Sequence, residues 1–406
     1  MLTLDPIQTL AAGGLCLLVG YAIRQRLPWL ARFNIPASVI GGLVVALVLL
    51  VCRHWDFTPV QFDTALERPL MIAFFTSIGF NASVSLLRIS SRQVTLFLGL
   101  ATFLAVVQNV VGIGIAKAFG LHPLFGVAAG SATLAGGPAT GLAFAPLLEQ
   151  AGVVGAKSIA LASAMAGIVI GSIVGAPLAT VLIERYKLAR PRSSSETTGS
   201  VASIALAAPA TTIAVGTEAE RTQRSLETLV LLLVAMGLGA WVSEGLHALN
   251  LTMPSYIGAM LVGALIRNLD DGFGWFGLSL PSIDSIGSIC LSLFLAVALM
   301  DLHLWELAGV ATPLLVDLAV QTIIVVAFSC WPLLRLMGRD YDAAVMAGGF
   351  AGFMLGITAN AMAVMDSLTE RFGPAPRAFL VAPLVGAFLI DFTNAIVITL
   401  FINGWR

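Results

Sequence analysis

Asp391 and Asn394 stand three residues apart inside the apolar run Ala387–Val397, so a helix places the carboxylate and the amide on one face. Their oxygens are hard ligands of the kind a sodium ion takes, and either group could also hold a substrate ammonium. A hydrogen-bonded pair between packed helices is the other reading of the same two residues. Two stretches rich in small and hydroxyl residues add backbone chemistry: Gly130-Ser131-Ala132-Thr133-Leu134-Ala135-Gly136-Gly137-Pro138-Ala139-Thr140-Gly141, and Gly348 to Asn360 with Gly356 and Thr358 inside it. Glycine and proline break a helical ladder, and broken backbone away from water persists only where protein covers it or a cavity reaches it. Half-helix N-termini there would offer N–H groups and a positive dipole end to an anion, and glycine would let a ligand approach. Carbonyls and the hydroxyls of Thr133, Thr140 and Thr358 would suit sodium. The candidate substrate residues are therefore Gly136, Gly137, Thr140, Gly141, Gly356, Thr358, Asn360, Gln108 and Asp391. The candidate sodium ligands are Asp391, Asn394, Thr133 and Gln321.

Other polar residues read more plainly. Gln108-Asn109 and Gln321-Thr322 fall in related apolar runs and serve equally well as cavity lining or as bundle hydrogen bonds. Asp301, Glu306 and Asp317 read as solvated positions near span ends, and Glu370-Arg371 as a structural ion pair. Cys16, Cys52, Cys290 and Cys330 show no C-x-x-C spacing and read as packing residues, so no transition metal is expected. There is no H-E-x-x-H, G-x-S-x-G or G-x-x-x-x-G-K-[ST], which argues against an enzyme or a nucleotide-driven pump.

The elements that must position these residues are membrane spans. Hydrophobic residues make up 58% of the 406 and charged residues 11%, against about 25% charged in a soluble domain. A net charge of −1 gives no basic face for nucleic acid. Apolar windows fall near 7–23, 35–52, 69–87, 94–116, 156–183, 227–248, 254–266, 283–300, 308–334 and 378–402, which predicts an all-α integral membrane protein of about ten spans. The start lacks the basic region of a cleaved signal, so the first window is expected to stay as a span. Residues 185–224 are polar and Ser/Thr-rich at their start and read as a mobile linker between a first unit, 1–184, and a second, 225–406.

The two units match. Asn34-Ile35-Pro36 through Val44 resembles Thr252-Met253-Pro254 through Val262, and Pro36 is separated from Pro254 as Gly130 is from Gly348. Such a shared spacing points to internal duplication. Five spans per unit insert the second unit upside down. With the linker cytoplasmic, all 21 basic residues except Arg53, Arg68, Lys117, Lys157 and Arg406 face inward, as the positive-inside rule requires. The prediction is an inverted repeat with both termini outside and two opposed re-entrant hairpins, near 121–150 and 341–368. Interrupted segments at matching positions of two halves mark the substrate site of a secondary transporter.

Along nearly its whole length the chain resembles the bacterial sodium–glutamate symporter family. The likeness is carried by Phe74-Phe75-x-Ser77-Ile78-Gly79-x-Asn81, Gln108-Asn109, Gly136-Gly137 with Thr140-Gly141, Gly338-x-Asp340-Tyr341-Asp342-Ala343-Ala344, Thr369-Glu370-Arg371-Phe372-Gly373-Pro374 and Val385-Gly386-Ala387-Phe388-x-Ile390-Asp391-x-x-Asn394-Ala395. It implies a homodimer in the bacterial inner membrane that takes up L-glutamate, or a related small carboxylate, with Na+ as coupling ion and no organic cofactor. It also implies an elevator-like movement of a transport part against a scaffold, the scaffold being spans one, two, six and seven. The chain departs from the family at Ala135 and Pro138, where a serine and a histidine are usual, and at Phe350, where a histidine is usual. The alternatives kept open are a different carboxylate or amino acid as cargo, and a passive channel or sensor on the same scaffold.

Overall fold

The computed structural model describes residues 2–55, 60–84, 92–188, 218–248, 253–275 and 277–405. The first half runs α1 (Pro6–Arg26), the short α2 (Pro28–Arg32), α3 (Ala37–His54), α4 (Glu67–Phe80), α5 (Arg92–Ala118), the one-turn α6 (Phe125–Ala128) and α7 (Ser131–Leu134), α8 (Gly137–Gln150) and α9 (Ala156–Arg185). The second half runs α10 (Glu218–Ala248), α11 (Tyr256–Phe273), α12 (Leu280–Met300) and α13 (Ala311–Phe328), then a π-helical turn at Ser329–Leu333 and α14 (Leu334–Leu336). It ends with α15 (Tyr341–Met354), α16 (Thr358–Phe372), α17 (Pro376–Leu384), a second π turn at Val385–Leu389 and α18 (Ile390–Gly404).

Among the described residues, six helices are long and apolar enough to cross a bilayer: Pro6–Arg26, Arg92–Ala118, Ala156–Arg185, Leu226–Leu246, Leu280–Met300 and Ala311–Leu336. The protein is a multi-pass membrane protein. Other expected spans are shorter: α4 has 14 residues, or about 21 Å at 1.5 Å per residue. The segment expected as a span over 378–402 is helical from Pro376 to Gly404, and it widens into the π turn just after Pro383, which supplies no N–H and crowds the preceding turn. The expected linker also loses its ends, since α9 reaches Arg185 and α10 begins at Glu218; residues 189–217 lie outside the described part. One small addition to the helices is β1 (Leu2–Leu4), which pairs in parallel with β2 (Val60–Phe62).

The helices sort into two groups, each packed mainly within itself and joined to the other through a shared apolar core. One is α1, α3, α4, α10, α11 and α12; the other is α5 to α9 with α13 to α18. The helices expected from the sequence as scaffold, α1, α3, α10 and α11, all fall in the first group, together with α4 and α12. Small residues draw α4 and α12 in: a Cβ on Gly79 would lie 2.2 Å from the Met260 carbonyl oxygen, and one on Gly42 2.3 Å from Leu299 Cβ.

Similar seams close each group internally. A Cβ on Gly20 of α1 would fall 1.9 Å from the Ala37 carbonyl oxygen, and one on Gly41 of α3 1.9 Å from that of Cys16. Gly167 and Gly175 of α9 meet the carbonyls of Leu355 and Gly348 at 2.3 and 2.8 Å on the same measure. Helices thus touch backbone to backbone, the packing available where lipid gives no hydrophobic drive between helices.

Gly20→Ala is expected to cost about 1–3 kcal/mol by overpacking. Gly14→Ala, with no atom within 4 Å of the new methyl, is expected to be neutral or to stabilise by up to about 1 kcal/mol through helix propensity. Melting of both variants in detergent checks this; equal melting temperatures would show that the α1–α3 seam yields.

Candidate functional site

Local sequence dictates where the hairpins break. Gly137 adopts φ +68°, which a side chain rarely tolerates, and Pro138 then sits in the first turn of α8, where its missing N–H costs nothing. In the second hairpin α15 stops at Met354, Ile357 is extended and α16 starts at Thr358. Neither α8 nor α16 has a side-chain N-cap, so first-turn N–H groups and two positive dipole ends remain at the breaks. The two breaks meet. A Cβ on Gly137 would lie 2.8 Å from Ile357 Cγ2 and 3.8 Å from the Gly356 carbonyl oxygen.

Buried amides tie the hairpins to the surrounding helices and those helices to one another. Asn109 Oδ1 accepts from the Ser131 amide at 3.0 Å, and Asn394 Nδ2 donates to the Ser131 carbonyl at 2.9 Å. Gln108 Nε2 donates to the Met354 carbonyl at 2.9 Å, and Gln321 Nε2 to the Gln108 carbonyl at 2.8 Å. Asn360 Nδ2 reaches the Ile168 carbonyl at 2.8 Å, and Thr358 Oγ1 donates to the Gly386 carbonyl, in the second π turn, at 2.7 Å. The amide oxygens of Gln108, Gln321, Asn360 and Asn394 are left buried without a hydrogen-bond partner, as are Asn109 Nδ2 and Ser131 Oγ. Such orphaned groups are rare and call for a ligand or a function.

The family profile for the sodium/glutamate symporter matches residues 2–374. A sodium/glutamate symporter of Haemophilus influenzae is 40% identical over 395 residues, covering 97% of this chain and 96% of that protein. One from Escherichia coli is 39% identical over 406 residues, covering 99% of this chain and 98% of the relative. The chain belongs to the sodium/glutamate symporter family.

The sequence candidates in this symporter-family chain fall into three sets. Gly137, Gly356 and Thr358 sit at the meeting breaks. Gln108, Gln321 and Asn394 lie on the surrounding helices, and Asn360, in the first turn of α16, ties the second hairpin to α9. Thr133, Gly136, Thr140 and Gly141 pack within the first hairpin, where Gly141 abuts the Thr133 methyl and Thr133 Oγ1 donates to the Ala128 carbonyl at 2.9 Å. Asp391 lies three residues before Asn394 on α18. It is half-buried and has no hydrogen-bond partner among the described residues.

Tyr256 was not among the candidates. It stacks on Phe75 at 3.8 Å between ring centroids and takes the edge of Phe144 of α8 at 6.1 Å, so it lies where the two groups touch. Its place in the duplicated Pro254-Ser255-Tyr256-Ile257-Gly258 segment was the available signal. Asp317 is corrected outright: it is fully buried within α13, not solvated. Arg371 pairs at 3.4 Å with Glu184 of α9 rather than with Glu370.

Clefts open toward both ends of α9. One, of about 600 Å³, is lined by Glu67, Arg68, Glu149, Lys157 and Asp301; the other, of about 650 Å³, is lined by Phe33, Ser172 and Pro177 and reaches Asn360. In the first cleft, burial pushes the Glu67 carboxyl above its ordinary value, while the Lys157 ammonium 3.1 Å away opposes the shift.

Asn394→Leu is expected to leave the Ser131 carbonyl with only the backbone N–H groups of Ala135 and Gly136, and to cost about 0.5–1.5 kcal/mol for the lost hydrogen bond. Faster amide exchange across residues 130–136, with little change in α10 and α11, would confirm the local effect; a uniform change would place the bond elsewhere in the energetics.

Proposed function

We propose that this protein is a secondary transporter that couples Na+ entry to uptake of L-glutamate. The observation that carries the reading is the contact of two uncapped, broken hairpin tips ringed by buried amide oxygens with no partner. A dicarboxylate meets N–H groups and positive dipole ends at the N-termini of α8 and α16. A sodium ion meets oxygens of the kind left over on Asn394, Asn360 and Gln321, with the Asp391 carboxylate on the neighbouring face of α18.

Of the three departures from the family pattern, Pro138 lies at the first break, whereas Phe350 and Ala135 do not weigh against glutamate. Phe350 lies one turn and more before the break, fully buried between Phe97 and Phe328, and Ala135 is likewise buried in the core of its group. Position 350 therefore serves packing rather than the tips.

In the membrane arrangement we favour, about ten helical passes form two inverted repeats. The hairpins are re-entrant, the termini lie outside and the linker is cytoplasmic in the inner membrane. The same element order in both halves and the charge bias of the loops support it. The group of α5–α9 and α13–α18 would carry the site between the two clefts, elevator fashion, against the other group. That second group would also form the homodimer contact.

The test is uptake of labelled glutamate into proteoliposomes with and without an inward sodium gradient at equal membrane potential. Sodium-driven accumulation is expected; saturable uptake of another carboxylate alone would move the reading to that cargo, and sodium-independent flux would point to a channel. Gly137→Val should abolish uptake in inserted protein, since it combines a positive φ with a clash against Ile357. Asp391→Asn should raise the sodium half-saturation roughly tenfold, about 1.4 kcal/mol, and an unchanged value would remove Asp391 from the ion site.

A further inference from the structure

Asp317 sits two turns into α13 and is fully buried, as are Gln321 on the next turn and Gln108 on α5. Its Oδ1 lies 3.4 Å from Gln321 Nε2, a long contact, and its Oδ2 has no partner at all. Among the described residues no Lys, Arg or His pairs with it. A carboxylate cannot stay charged in such a place without compensation, so a cation must join it when it is ionised.

The neighbouring atoms decide which cation. Gln321 uses its Nε2 on the Gln108 carbonyl, and Gln108 uses its own on the Met354 carbonyl, so each amide keeps an unpaired oxygen. The orphaned atoms on Asp317, Gln321 and Gln108 are all acceptors. One proton would satisfy one of these oxygens, whereas a hard metal cation gathers several at once.

We propose that Asp317 and Gln321 hold a sodium ion, distinct from any ion at Asp391, and that Gln108 ties this site to the second hairpin. The inference rests on the sodium-coupled reading above. The tie is a continuous chain of contacts: Asp317 to Gln321, Gln321 to the Gln108 backbone, and the Gln108 side chain to Met354, the last helical residue before the break at Leu355-Gly356-Ile357. Sodium binding there orients Gln321, steadies α5 against α13 and so fixes the end of α15. An ion in this site orders the second tip for substrate without touching it.

The experiment is a sodium titration of the purified full chain in detergent without glutamate, choline replacing sodium at constant ionic strength, read as the rise in melting temperature that a ligand of the folded state produces. Glutamate uptake in proteoliposomes runs beside it. The wild type is expected to gain stability with sodium. Asp317→Asn is expected to shift the titration midpoint at least tenfold upward, while its melting temperature in choline is unchanged or raised because an uncompensated charge has gone. Gln321→Leu, which keeps the carboxylate, gives the same direction and serves if Asp317→Asn does not fold. Superimposable titrations for wild type and the variants would overturn the site. An unchanged sodium midpoint in Asp317→Asn with a lost pH dependence would also overturn it, showing that a proton sits there. Wild-type vesicles without sodium-driven uptake would defeat the transport reading alone, since a sodium-dependent melting shift lost in Asp317→Asn still supports the ion site.

Discussion

Backbone that leaves the helix inside an apolar protein must find its hydrogen bonds from side chains, and this requirement organises the centre of the molecule. Asn and Gln suit the task because they are neutral and carry both a donor and an acceptor. Four of the five bracing amides spend a donor on a carbonyl: Gln108 on Met354, Gln321 on Gln108, Asn360 on Ile168 and Asn394 on Ser131. Each then retains an oxygen. Two of these bonds, to Met354 and Ser131, hold the hairpins, and two, to the Gln108 and Ile168 carbonyls inside α5 and α9, tie helix to helix; together they leave a set of unshared oxygens around the breaks. Asn109 is the exception, using its oxygen on the Ser131 N–H.

How much of this was legible in the sequence depends on which feature carried the information. The breaks at Gly136-Gly137-Pro138 and at Gly356 were readable because glycine and proline weaken any helix that an apolar run would otherwise form. Asn394 was readable as an amide where hydrocarbon neighbours surround it. Asp317 was not, because distance from the end of an apolar window says nothing about which face of α13 turns inward. Its burial is fixed by how α13 packs on α5, a contact between the two halves of the chain. The π turn in the last span had a local signal in Pro383, outweighed by the uninterrupted hydropathy around it.

Phe350 teaches a related lesson. Aligned against a family pattern, it marks a lost imidazole near a binding loop. Placed on α15, it points into a cluster with Phe97 and Phe328, on a helix whose end alone reaches the break. A motif position fixes where a residue is along the chain, and only helix rotation fixes what it faces. The membership of α4 and α12 in the first helix group was hidden in the same way, since their glycines find partners on helices distant in sequence.

The seams along α1–α3, α10–α11 and α9–α15, where glycine lets one backbone lie on another, also set the mechanical character of the protein. Within each group there is little side-chain padding to compress, so each resists deformation as one stiff body. Between the groups lie the Phe75–Tyr256–Phe144 rings, a joint of flat apolar surfaces, with the Lys157 ion pairs to Glu67 and Asp301 at one edge. Compliance is thereby concentrated at that joint. Changes in the lateral pressure or thickness of the surrounding bilayer would be taken up there, as a shift of one body past the other, while the helices and the braced tips keep their shape.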